Sequence, residues 1–355
     1  MRFFLIAFFL FISLPIWALD RDTTQVILKN TMDDYIIPSY QRVEGATNDL
    51  TDQVVSLCAR PNNQTLDAAR QAFLQTVHTW SFVEIFLIGP VIEDHRIERF
   101  FYFPDRKGRG LRQVQVALAN QDENVAKMAT LQKMSIALQG LGALEFLLFG
   151  QGSEDLATNY DFRCQFINSV SENIKNIAHE LSHAWREDKN LRRDWYEPRP
   201  DNKLFQTNEE ALGEILTTII YGLESIQKRR LNVFLQDPPK KDRPKLAAFW
   251  RSEATMMSLV ANLKGLEKLF TASAIETLLL PEKRSLGYTI RDELNQSITL
   301  AEKLDGSIND LLRNEDDRQT LKHISRVLRS LTHHLEEEFA PEAGLVVGFS
   351  FEDGD

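Results

Sequence analysis

The sequence predicts an all-α protein built from two helical bundles related by an approximate internal duplication. Three observations carry that expectation. Almost every long segment repeats its apolar residues with helical rather than alternating period. No segment offers strictly alternating β-branched residues bounded by turns. The segment "GALEFLLFG" (142–150) aligns with "KGLEKLFTA" (264–272), placing Leu144-Glu145 over Leu266-Glu267, which suggests that one half repeats the other.

Taken in order, a first helical stretch covers about 25–57. Phe73, Val77, Trp80, Glu84 and Leu87 step by four, three, four and three, one face of a second helix. A further stretch covers 112–128, and Met134, Leu138, Leu141, Glu145 and Leu148 form the next stripe. Ile167, Val170, Ile174, Ile177, Leu181 and Ala184 form another. Helical patterns then cover 207–235, 246–280, 287–312 and 318–339. Breaks fall at Gly89-Pro90, "PDRKGRG" (104–110), "FGQGSED" (149–155) and "QDPPKKDRP" (236–244). The break "YEPRPDN" (196–202) divides the chain into bundles over 19–200 and 201–355, which together make one unit.

Residues 1–18 read as a secretory signal. Arg2 supplies the positive start, Phe3 to Trp17 is almost unbroken apolar sequence, and Ile16-Trp17-Ala18 offers a cleavage site. The run is shorter than the roughly 20 residues of a bilayer span, so the expectation is a soluble, exported protein starting near Leu19. The chain carries 41 basic and 51 acidic residues. That excess of negative charge argues against nucleic acid or anionic membrane as a partner. Two cysteines occur, Cys58 and Cys164. In an oxidising compartment they are a candidate disulfide; the other reading is two buried thiols.

"HELSH" (179–183) matches the H-E-x-x-H pattern of zinc peptidases, and "NEEALGE" (208–214) sits where such an enzyme would place a third ligand. Helical geometry argues the other way. At about 100° per residue, His179 and His183 fall roughly 160° from Leu181, the centre of the apolar stripe. We read the pattern as the product of a solvated helix face.

Glu84 and Glu145 are more informative, because each occupies its own helix's apolar stripe. A carboxylate facing a core is costly unless it is paired, hydrogen-bonded or bound to metal. Inward carboxylates from different helices are also how bundles build metal sites.

The segments around them resemble a known family. "TWSFVEIFLIGP" (79–90), "FFYFPDRKGRGLRQVQVALA" (100–119), "GLGALEFLLFG" (140–150), "EALGEILTTIIYGLESIQKRRL" from Glu210 and "RPKLAAFWRSEATMMSLVANLKGLEKLF" from Arg243 are similar to the imelysin-like family. That group includes insulin-cleaving and iron-regulated bacterial envelope proteins. The terminal "GFSFEDGD" (348–355) resembles the family's closing Gly-Phe-Asn-x-x-Asp-Gly-Asp. The resemblance implies an all-α pair of bundles in the periplasm that binds a small ligand or a metal ion. It implies other envelope metal-uptake proteins as partners and carries a metallopeptidase label. The family's motif is Gly-x-His-x-x-Glu; here Gly140 and Glu145 match, but Gly142 stands at the histidine position. Glycine ligates nothing, so any cation has only oxygen ligands such as Glu84 and Glu145, suited to a calcium-like divalent or a ferric ion rather than zinc.

Two functions follow. One is ligand or metal binding in a cavity formed by Trp80, Glu84, Gly140, Glu145 and Arg251, with the two carboxylates facing each other within about 10 Å. The other is a metallopeptidase acting through Glu145 or through His179, Glu180 and His183.

Overall fold

The computed structural model describes residues 21–159 and 161–348. The signal over 1–18 and the tail motif beyond Gly348 lie outside the described residues. Helix α1 (Arg21–Thr31) runs through a π-helical turn (Met32–Ile36) into α2 (Ile37–Ala59), followed by α3 (Asn63–Val83). Short helices α4 (Arg96–Phe100), α5 (Arg109–Ala119), α6 (Met128–Leu131) and α7 (Leu141–Phe149) precede the long α8 (Phe162–Glu187) and α9 (Lys189–Tyr196). Beyond residue 200 come α10 (Asn208–Glu224), continued by a π-helical segment (Ser225–Leu231), then α11 (Thr255–Ser273) and α12 (Arg284–Ala301). The described elements close with α13 (Ile308–Arg313), α14 (Glu315–His333), a π-helical turn (His334–Phe339) and α15 (Ala340–Glu342). Among the described residues there is no strand, so the fold is all-α.

Side-chain caps start several helices. Asn62 and Thr65 form a reciprocal capping box on α3, and the side chains of Asp161, Thr207 and Asn314 accept first-turn N–H groups of α8, α10 and α14. The amino-terminal bundle packs α2 against α3 and α8. It buries Val43, Leu50 and Val54 from α2, Phe73 and Val77 from α3, and Ile167, Val170 and Ile174 from α8. A disulfide between Cys58 and Cys164, whose Cα atoms are 5.7 Å apart, ties the end of α2 to the start of α8.

The helices on the two sides of residue 200 share one continuous apolar core. Helix α11 lies along α3, where Ser81 and Ser258 bond through their hydroxyls at 2.8 Å. At Gly265 the backbone of α11 comes so close to the carbonyl of Phe82 that a Cβ would collide with it. The segment between the halves is pinned as well. Asn202 donates to the carbonyls of Asp194 and Glu197 at 2.7 and 2.8 Å and accepts from the amides of Leu204 and Phe205.

Four helical patterns differ from their sequence reading; the one over 112–128 ends at Ala119, just before Gln121 at positive φ. The 246–280 pattern becomes helical only at Thr255, because residues before it form a turn with Phe249 and Glu253 at positive φ. Residues 134–148 become regular α-helix only from Leu141. Just before it, Gly140 lies against the carbonyls of Arg99 and Phe100 so closely that a Cβ there would overlap both. The 287–312 pattern is interrupted between Ala301 and Ile308, where Gly306 adopts φ 96°.

Candidate functional site

Two cavities lie side by side along the seam between the halves, with Phe101 and Phe103 lining both. These rings stack at 5.3 Å, and Phe101 stacks in turn on Phe249 at 4.4 Å. An aromatic wall therefore stands between the cavities.

The first cavity measures about 310 Å³ and is lined by Trp80, Glu84, Phe101, Tyr221, Arg230 and Asn262, among others. Trp80 is fully buried and stacks on Phe100 at 3.8 Å. Glu84 caps the end of α3. Its carboxylate accepts a hydrogen bond from Arg230 in the π-helical segment after α10, and a second from Asn262 of α11 at 2.7 Å. Both side chains of the ion pair are only 10% exposed. The Arg230 guanidinium lies 5.0 Å from the Phe101 ring centre and 4.7 Å from that of Phe103. Burial lowers its pKa from the ordinary arginine value, with Glu84 opposing the shift. Its neighbour Arg229 donates to the Tyr221 hydroxyl at 2.9 Å and to the Phe103 carbonyl at 3.4 Å.

The second cavity, of about 300 Å³, contains Glu145, Gly140, Gly142, Trp250 and Arg251. Glu145 is 4% exposed on α7. One of its oxygens, Oε1, accepts the amides of Arg251 and Ser252 at 3.0 and 3.1 Å and the Ser252 hydroxyl at 3.1 Å. The Arg251 guanidinium is 3.7 Å from Oε2 and stacks over Trp250 at 4.4 Å. The turn from Phe249 to Ala254 turns two successive N–H groups toward one carboxylate, a backbone nest for an anion that the protein itself supplies. This tertiary contact explains why residues 247–254 are not helical despite their pattern. Burial raises the Glu145 pKa, against the pull of Arg251 and Ser252.

The expected single cavity is thus two. The structure joins Trp80 with Glu84, and Gly140 with Glu145 and Arg251, but gives the two carboxylates different partners and different cavities. Each carboxylate is held by its own donors: Arg230 and Asn262 take Glu84, and the turn at Arg251 and Ser252 takes Glu145.

A cation does not fit these residues. Each glutamate is already neutralised by an arginine and hydrogen-bonded by further donors. Gly142 has space beside it, since a Cβ would meet only the Tyr102 carbonyl at 4.0 Å, but no ligand atom. Among the described residues no group of three or more His, Cys, Asp or Glu is placed to hold a metal. The H-E-x-x-H residues face solvent. His179 is 64% exposed and meets Glu44 at 2.7 Å, Glu180 pairs with Arg96 at 3.1 Å, and Ile174, Ile177 and Leu181 are buried instead. "NEEALGE" opens α10, where Thr207 just before it caps the helix and accepts from the Glu210 amide.

Arg230, Asn262 and Ser252 are site residues that the sequence reading missed. Two of them carried the same signal as Glu84. Ile219, Leu223, Ile226 and Arg230 step by four, three and four, and Leu259, Asn262 and Leu266 by three and four, so each polar residue sits on an apolar stripe. Ser252 acts from an irregular turn and has no such pattern.

The family profile described as Imelysin matches residues 36–335. The fold is similar to that of an imelysin-like protein from Psychrobacter arcticum 273-4 (TM-score 0.72, 19% identity, 93% of this chain and 98% of that one). It is also similar to a putative iron-regulated protein A precursor from Parabacteroides distasonis ATCC 8503 (TM-score 0.70, 13% identity, 90% of this chain and 95% of that one). No curated protein matches the chain. None of the helices among the described residues is long and apolar enough to cross a membrane.

Proposed function

Since the chain belongs to the imelysin family, we propose that it is an exported envelope protein that binds a small ligand along the seam between its halves. In this reading it is not a metallopeptidase. The observation that supports it is the pair of aromatic-walled cavities, each with a buried Glu–Arg pair on its lining and neither with a set of metal ligands. Cavities of this size, mostly apolar with a few fixed polar groups, suit small molecules. Peptide hydrolysis by a zinc enzyme needs an open metal position beside a general base. Glu145 offers neither, because both its oxygens face Arg251 and Ser252.

The setting we propose is the periplasm, reached through the signal over 1–18, in the company of envelope proteins of iron or other metal uptake. The iron-regulated neighbour in fold and the family's envelope proteins support that setting. Mass spectrometry of the native protein tests export, with a mature amino terminus near Leu19 as the expected result. Function is tested by equilibrium dialysis of chelator-treated protein against zinc, calcium and ferric ions, together with a casein-cleavage assay. We expect no stoichiometric metal and no cleavage. A tightly bound equivalent of metal that is lost in Glu145→Gln or Glu84→Gln would restore the metal reading, and cleavage lost with it would restore the peptidase.

A further inference from the structure

Three polar atoms on residues lining the first cavity are buried without a protein partner. They are Nη1 of Arg230, Nε1 of Trp80 and Oδ1 of Asn262. Buried polar groups in native proteins nearly always find a partner, so three exceptions around one cavity of about 310 Å³ call for an explanation. Their chemistry is fixed. Arg230 and Trp80 can only donate. The Asn262 amide is oriented by its own bonds: Nδ2 donates to the Ser81 carbonyl at 2.6 Å and to Glu84 at 2.7 Å, which leaves Oδ1 as an acceptor.

The charge has a sign as well. Two arginines, Arg229 and Arg230, line the cavity, and among the described residues Arg229 bonds to the uncharged oxygens of Tyr221 and Phe103. Against them stand Glu84, already paired with Arg230, and Glu98, whose side chain is nearly half exposed and faces His95. The remaining lining is apolar, including Ile85, Ile97, Ile226 and the two phenylalanines.

We propose that this cavity takes a small amphipathic carboxylic acid that also carries a hydroxyl or N–H group. Its carboxylate accepts from Arg230 Nη1 and the Trp80 indole, its own donor meets Asn262 Oδ1, and its apolar body lies against Phe101, Phe103 and Ile226. Glu84 then has a positioning role. By holding the other face of the guanidinium and the Asn262 amide, it sets which atoms of both face the ligand.

This inference rests on the ligand-binding reading, and the test separates the two. The mature protein is titrated by calorimetry with three probes of one shape: 3-phenyllactate, 3-phenylpropionate and the neutral 3-phenyllactamide. The hydroxy acid should bind tightest, by roughly fivefold over the acid without a hydroxyl and roughly tenfold over the amide. Arg230→Lys keeps the charge beside Glu84 but withdraws the fork of N–H groups, and should erase most of the preference for acid over amide. Trp80→Phe, which keeps a ring on Phe100 but loses the N–H, should erode the same preference and serves if the first variant does not fold. Equal binding of acid and amide by the wild-type protein overturns the carboxylate inference and leaves the cavity a ligand site. A preference that both variants retain overturns the assignment to Arg230 and Trp80. Failure of all three probes to bind overturns the inference for this cavity and leaves the proposed function to the second one.

Discussion

Replacing Glu84 with leucine removes the only carboxylate among the described residues that contacts Arg230, in a setting where both side chains are about nine-tenths buried. Asn262 loses an acceptor by the same change. Breaking one side of a buried pair typically costs about 3–5 kcal/mol, because the remaining charge keeps its desolvation penalty without its partner. Two features of the site place the expected loss near the lower end. The Phe101 and Phe103 rings still face the guanidinium, a contact worth roughly 0.5–2 kcal/mol, and the adjoining cavity admits water. We therefore expect Glu84→Leu to lose about 3 kcal/mol. Arg230→Met should lose a similar amount by stranding Glu84. The double variant strands neither charge and should lie within about 1–2 kcal/mol of wild type, most of it the unfilled Asn262 bond. Urea unfolding of the four proteins closes a double-mutant cycle, with an expected coupling of roughly 4 kcal/mol. If the two single losses simply add, to within about 0.5 kcal/mol, the residues are not an energetic unit and the cavity floor has been misread.

Other outcomes follow from other parts of the molecule. Converting Cys58 and Cys164 to serine opens a loop spanning 106 positions and should lower stability by about 4–5 kcal/mol on the chain-entropy account; a loss under about 1 kcal/mol in urea melts would contradict it. His179→Ala with His183→Ala should change stability by no more than about 0.5 kcal/mol and leave metal content untouched, because both rings face solvent; atomic absorption that shows a lost zinc would reverse this. Glu145 gives a pH signature. Its folded pKa lies above the ordinary 4.5, so between those two values the native state holds more protons than the unfolded chain, and stability falls as pH rises through that window. Glu145→Gln should flatten this dependence, and parallel thermal-melt profiles for variant and wild type from pH 4 to 8 would count against it.

Much of this architecture is readable in the sequence because bundle helices advertise themselves by period. The stripe through Phe73, Val77 and Trp80 is buried as its spacing requires, and the H-E-x-x-H histidines project outward because Leu181 projects inward. The same logic singled out Glu84 and Glu145 as carboxylates pointing the wrong way. It did not pair them correctly, since a stripe says which face is buried and nothing about which neighbour buries it. The stripes suggest Glu84 and Glu145 as partners of each other, whereas Arg230 and the turn at Arg251 and Ser252 are their partners. Arg230 was legible as a stripe residue, yet it ends "SIQKRR", a run of charge that resembles a solvated helix terminus. The turn at 249–254 was illegible for a different reason. Its residues have ordinary helical pattern, and what replaces the helix is a turn whose amides dock on a carboxylate distant in sequence.

That each carboxylate comes from before residue 200 and each arginine from after it has a consequence for how the molecule is made. The two links close across 146 and 106 positions of chain. A polypeptide emerging from its amino end displays Glu84 and Glu145 well before Arg230 and Arg251 arrive. Until then both carboxylates must stay in water, which keeps the inner faces of α3 and α7 wet and postpones their burial. Both cavities therefore close only after Arg251 has been made, while α12 to α15 are still to follow. A chain that stops short of residue 225 is left with two hydrated charges where its core should close, a lasting mark by which an unfinished copy differs from a complete one.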